Sequence, residues 1–210
     1  MWRWLTALAL VACTTSPQLQ QPMASELIAL THTDFPYQVV SLRSEPVDDL
    51  TRLSAYELYL DTAVTSDFDN GWSTWHLPFN PELSGAEAWV LSFVRIEGAR
   101  RAFQILAEPK PASRVDQLTL SAEQDLSIGT LGDRSATLSY TVTDESTAET
   151  WTSFRVIGRI DRVVIMVTGT NPLSSEYAQF TTLLATMVNR VVQVGNAPPV
   201  QGSARDDDQG

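Results

Sequence analysis

One stretch, residues 136–170, limits what this chain can fold into more than any other, because strand-like segments follow one another there with almost no chain between them. The segment ATLSYTVT (136–143) alternates strictly, with Leu138, Tyr140 and Val142 on one face and Ser139, Thr141 and Thr143 on the other. Successive side chains of a strand point to opposite faces, so this alternation predicts a half-buried strand. Two further strands are expected at 151–157 and 163–167, joined by a tight turn within GRIDR. Neighbours joined so briefly run antiparallel, since a parallel pair needs a crossover of a dozen or more residues. After them, Tyr177, Phe180, Leu184, Met187, Val188 and Val191 form an apolar stripe at helical spacing. Asn171 and Pro172 offer this closing helix a cap and a first-turn proline.

The first half is read in the same way. YQVVSL (37–42) predicts a strand after Pro36. LTRLSAYELYL begins like a helix behind Asp48 and Asp49, but Tyr56, Leu58 and Leu60 also alternate, so 56–64 stays open between helix and strand. Residues 65–88 carry two glycines, two prolines and two asparagines and are expected to form a long loop. WVLSFVRI (89–96) reads as a nearly continuous apolar strand. It leads into a helix with Ala99, Ala102, Phe103 and Leu106 on one face, ended by Pro109. Together these elements predict one α+β domain, an antiparallel sheet with helices packed on one face and a closing C-terminal helix.

The chain begins MWRWLTALALVAC. A charged start, a short apolar run and a small residue define a secretory signal, and the run is too short to cross a bilayer. Leu10-Val11-Ala12-Cys13 resembles the lipobox of bacterial lipoproteins. That resemblance implies cleavage before Cys13 and a diacylglyceryl group on its sulfur. Two acyl chains suffice for stable attachment, so the expected partner is a membrane, held through that lipid. The expected layout is a signal peptide at 1–12, a lipid-anchored tether at 13–25, the folded domain at 26–194 and a disordered acidic tail at 195–210. The body is similar to a loose set of uncharacterised exported bacterial lipoprotein domains. What carries the similarity is the turn Gly132-Asp133-Arg134-Ser135, the hairpin and closing helix after it, and LSFVRIEGARRAF before it. It implies fold and address, and no catalytic residue.

The chemistry is sparse. Net charge is −11, which speaks against nucleic acid as a partner. Cys13 is the only cysteine, so once acylated it leaves no thiol nucleophile and no disulfide. His32 and His76 are the only histidines, and no G-x-S-x-G elbow occurs. The stretch from Asp67 to Gly71 fails as an EF-hand, with Gly71 at the fifth position and Pro78 at the twelfth. No glycine-rich phosphate loop of standard pattern is present, and no cofactor or metal is expected. Four residues of the expected loop, Trp72, Trp75, His76 and Phe79, suit contact with a partner or ligand. The alternative is that the loop folds these rings onto the sheet beside Trp89. Arg155, Arg159 and Arg162 either form a small basic patch or keep the hairpin soluble. The reading that follows is a non-catalytic, lipid-anchored cell-envelope protein with a partner- or ligand-binding domain. A carrier of an apolar molecule, with a cavity between sheet and helices, is the alternative; a hydrolase is the weakest one.

Overall fold

Strands that are apolar on both faces organise this molecule. The computed structural model describes residues 23–56, 58–126, 131–170 and 177–196. The described chain opens with a single turn, α1 (Ser25–Ile28), and an edge strand, β1 (Val39–Val47). Two 3-10 segments, Leu50–Tyr56 and Leu58–Leu60, lead to α2 (Thr62–Asp67), which Asp61 caps by accepting from the Ala63 and Val64 amides. Then come β2 (Phe68–Pro78), β3 (Ala86–Phe93) and α3 (Ile96–Ala107). Three short strands follow: β4 (Ser113–Val115), β5 (Leu118–Leu120) and β6 (Gln124–Asp125). The long strands β7 (Arg134–Asp144), β8 (Glu149–Ile160) and β9 (Val163–Thr170) precede α4 (Tyr177–Asn196).

The nine strands form one antiparallel sheet of order β1-β2-β3-β9-β8-β7-β5-β4, with β6 also paired to β7. The chain is a single α+β domain, as expected. The helices, however, divide between the two faces of the sheet. In β9, Val163, Ile165 and Val167 join α4 in one core, while Val164 and Met166 join α3 in the other. The first core also takes Val90, Phe154 and Val156 from the sheet, with Phe180, Leu184 and Met187 of α4. The second takes Leu91, Phe93, Leu138 and Ile157, with Ala99, Ala102 and Leu106 of α3. A strand apolar on both sides must be covered on both sides, or each exposed Val or Ile forgoes about 1.5–3 kcal/mol of burial. That corrects the expectation of helices on one face.

The structure also redraws the expected loop, resolves a stretch left open and extends the folded segment. Most of 65–88 is not a loop: α2 ends and β2 runs through it, with β2 paired to β1 on one side and β3 on the other. Of the stretch left open at 56–64, the described residues 56 and 58–64 form 3-10 turns and the start of α2, not a strand. The folded part begins at least at Met23, which is 4% exposed in the α4-side core, and α4 runs to Asn196. Arg190 of α4 fastens this N-terminal segment, donating to the Ala29 carbonyl (2.7 Å) and to both carboxylate oxygens of Asp34. Cys13, the Asn171-Pro172 cap and residues 197–210 of the expected tail lie outside the described residues.

Candidate functional site

The four residues expected to meet a partner all lie on or just after β2, and its pleat separates them. His76 is turned inward and is 1% exposed. Its Nε2 lies 3.2 Å from the Leu30 carbonyl, which can only accept, so Nε2 carries the proton. Nδ1 therefore accepts from the Ser41 hydroxyl at 2.9 Å. The Phe35 ring lies 5.0 Å away. This is a satisfied core histidine, with both ring nitrogens bonded to protein. Trp72 is half-buried and donates its indole N–H to Ser44 Oγ at 3.0 Å. Trp75 and Phe79 do face solvent, at 41% and 70% exposure. Trp72 and Trp75 are an odd number of residues apart on a strand, so they cannot join in one aromatic patch.

Burial pushes the His76 pKa down, with the nearby His32 acting in the same direction and the Leu30 carbonyl and Asp34 opposing it. The unfolded chain takes up this proton near pH 6.5, and the folded chain only at lower pH. Folding is therefore unaffected by this group above about pH 6.5 and is progressively penalised as pH falls below it. Urea unfolding of the chain and of His76→Gln should show the penalty between pH 7 and 5 in the native sequence alone. Equal slopes in the two proteins would rule it out.

A second place has the shape of a binding site. Between α3 and the ends of β7 and β8 lies a surface cleft of about 440 Å³, lined by Arg100, Phe103, Gln104, Arg134 and Arg159. That volume falls in the range of small-molecule sites. Arg100, Phe103 and Gln104 are spaced i, i+3, i+4 and so share one face of α3. This face adjoins the one that buries Ala99 and Ala102. Arg134 and Arg159 are direct cross-strand partners on β7 and β8.

The corner that sets them side by side is built by Gly132-Asp133-Arg134-Ser135. Gly132 has φ +69°, and a Cβ there would come within 2.7 Å of the Arg159 carbonyl oxygen. Only glycine accepts both that conformation and that approach. The Asp133 amide donates to the same Arg159 carbonyl at 2.8 Å, and Asp133 Oδ2 accepts from the Asp161 amide at 2.8 Å. Arg159 is 8% exposed, and its Nη1 donates to the Asp161 carbonyl at 2.9 Å and lies 3.3 Å from Asp133 Oδ2. Burial pushes its guanidinium below the usual range; Arg100 and Arg134 push the same way, against Asp133 and Asp161.

The three hairpin arginines thus have three different fates. Arg155 is inside the protein, paired with Glu123; Arg159 lines the cleft; Arg162 pairs with Asp161. They form no common patch. Sequence reasoning missed Arg100 as a site residue. The sequence showed only a charge next to the apolar face of α3, as it does for Arg101. Among the described residues no cluster of three or more His, Cys, Asp or Glu is placed to hold a metal.

No protein-family model matches the sequence, and no curated protein matches it. Solved structures do. The chain is similar to the crystal structure of the extracellular domain of PknH from Mycobacterium tuberculosis. The TM-score is 0.55 and identity 15%, over 82% of this chain and 98% of that one. It is also similar to an uncharacterised protein of Mycobacterium smegmatis, with TM-score 0.45 and 12% identity over 80% and 95% of the two chains. At 15% identity the likeness to the PknH domain is one of fold. Among the described residues no helix is long and apolar enough to cross a membrane.

Proposed function

We propose that this chain is a non-catalytic, lipid-anchored protein of the bacterial cell envelope whose folded domain binds a small ligand in the α3–β7–β8 cleft. The observation that carries the reading is the lining of that cleft. Arg100, Phe103, Gln104, Arg134 and Arg159 include no nucleophile and no side chain suited to general acid–base work near neutral pH. They suit holding a molecule, not transforming it. The fold shared with an extracellular domain supports an address outside the cytoplasm, and the LVAC match supports the anchor on Cys13. Side chains of α4 fill the space against the sheet: a Cβ on Gly158 would already touch Leu184 at 3.4 Å, and one on Gly169 would collide with Phe180. This close packing weighs against a carrier with an apolar cavity there. A second reading, a protein partner docking at Trp75 and Phe79, is favoured by their exposure beside Val40 and Leu42, which are 44% and 49% exposed.

Cells fed a labelled fatty acid should incorporate it into the native protein and not into Cys13→Ser, which should accumulate as uncleaved precursor. Equal label in both would overturn the anchor. Native mass spectrometry of the protein released from its membrane should show a copurified small molecule, reduced by Phe103→Ala. A spectrum of bare protein in both cases would overturn the ligand-binding part.

A further inference from the structure

The cleft also gathers positive charge that the described residues answer only in part. Acidic residues outnumber basic ones in this chain, 25 to 14, so a surface arginine has carboxylates in plenty to pair with. Nine of the described arginines do so, each with a carboxylate oxygen within 3.6 Å. Arg100 and Arg134 have no carboxylate partner among the described residues, and both line the same cleft as the buried Arg159. Next door on α3, Arg101 pairs with Asp61 at 2.8 Å, so α3 does not lack acidic neighbours in general. Asp133 and Asp161 both face Arg159, and Asp161 also pairs with Arg162 at 3.6 Å. Like charges gathered in a partly desolvated cleft repel one another more strongly than in water.

We propose that the cleft binds a phosphate-type oxyanion, carried by a soluble ester or diphosphate or by a lipid headgroup, with Arg100 and Arg134 gripping the oxygens. This rests on the cleft being the ligand site proposed above, and it names the ligand's chemistry. Guanidinium forks match tetrahedral oxyanions in two-point contacts that an ammonium cannot make. Arg159, held by Asp133 and the Asp161 carbonyl, is a fixed charge beneath them. Phe103 supplies an apolar wall and Gln104 an amide, so an organic group attached to the phosphate has somewhere to lie. A volume of about 440 Å³ is far more than a bare phosphate requires.

The full-length lipidated protein in a nonionic detergent is titrated calorimetrically with sodium pyrophosphate, and separately with dihexanoyl phosphatidylglycerol below its micellar concentration. Saturable binding with a dissociation constant below about 1 mM is expected for at least one of them. The tighter of the two identifies the source as soluble phosphate or lipid headgroup. Arg100→Gln and Arg134→Gln should each weaken it about ten- to a hundredfold, and Arg101→Gln should leave it unchanged. Arg100 and Arg134 are exposed, so both variants should keep the native melting temperature. Flat titrations with both probes, or equal losses from Arg101→Gln, would overturn the oxyanion assignment. If titrations are flat while the copurified molecule still depends on Phe103, the ligand site stands and only its chemistry is wrong. If both fail, the cleft is not a ligand site.

Discussion

Arg155→Ala should lower the unfolding free energy by about 3–5 kcal/mol, because it strands a carboxylate inside the protein. Arg155 and Glu123 are 4% and 5% exposed, and the pair is bidentate: Nη1 lies 2.8 Å from Oε1 and Nη2 donates to Oε2 at 2.8 Å. Glu123 holds more than the arginine. Its Oε2 accepts from the Lys110 amide at 2.7 Å, and its own amide donates to the Lys110 carbonyl at 2.9 Å. The pair therefore pins the segment between α3 and β6 to the middle of β8. Removing the guanidinium leaves Glu123 buried with the Lys110 amide as its remaining donor, so the segment either opens to water or holds an unanswered carboxylate inside the protein. The double variant Arg155→Met with Glu123→Met should be far milder than the single one, since apolar replacement of a buried pair is often neutral or stabilising. Urea unfolding of the three proteins decides it. A single variant within about 1 kcal/mol of the native protein, or a double variant as damaged as the single, would mean the pair is not buried in solution.

Nothing in the sequence marks Arg155 as different from Arg159 or Arg162. All three lie on one hairpin with an apolar residue on at least one side, and Glu123 is 32 residues from Arg155. Local pattern records which face a residue is on, not which distant carboxylate waits there. The same limit hid the cleft. Arg100, Arg134 and Arg159 come from α3, β7 and β8, and only the turn at Gly132 hinted that two of them meet. The β7–β9 hairpins, α3 and the closing helix were legible because each carries a clear apolar pattern, at period 2 in β7, continuous in β9 and at period 3.6 in the helices. β2 was not, because its alternation is written partly in polar residues. Ser73, Thr74 and His76 are each at most 1% exposed, yet they read as loop chemistry next to Asn70, Gly71 and Pro78. What buries them is pairing on both sides with β1 and β3, a tertiary fact. The two-faced packing was present in the sequence as runs without polar interruption, 89–91 and 163–167. A strand covered on one side only would have shown alternation there.

Phe180→Ala should cost about 3–5 kcal/mol, the usual range for emptying a buried aromatic site. Phe180 is 1% exposed and packs edge-on against Phe154, with ring centres 5.6 Å apart. It is also the residue that explains Gly169. A Cβ at Gly169 would fall 2.2 Å from Phe180 Cζ and 2.6 Å from Cε1, so the ring occupies the space that any larger residue on β9 would need. Gly169→Ala should therefore destabilise by about 1–3 kcal/mol through overpacking, although alanine suits a strand better than glycine does. The two positions share one volume and should not be additive. In a Phe180→Leu background the branched side chain leaves room at the ring's far end, and the added methyl of Gly169→Ala fills it. The cost of Gly169→Ala should then shrink by at least about 1 kcal/mol, the scale of coupling expected between residues in contact. Chemical denaturation of the native protein, both single variants and the double variant completes the cycle. Additivity within about 0.5 kcal/mol would show that α4 does not seat Phe180 on Gly169, and that the α4-side core is packed differently from the one described.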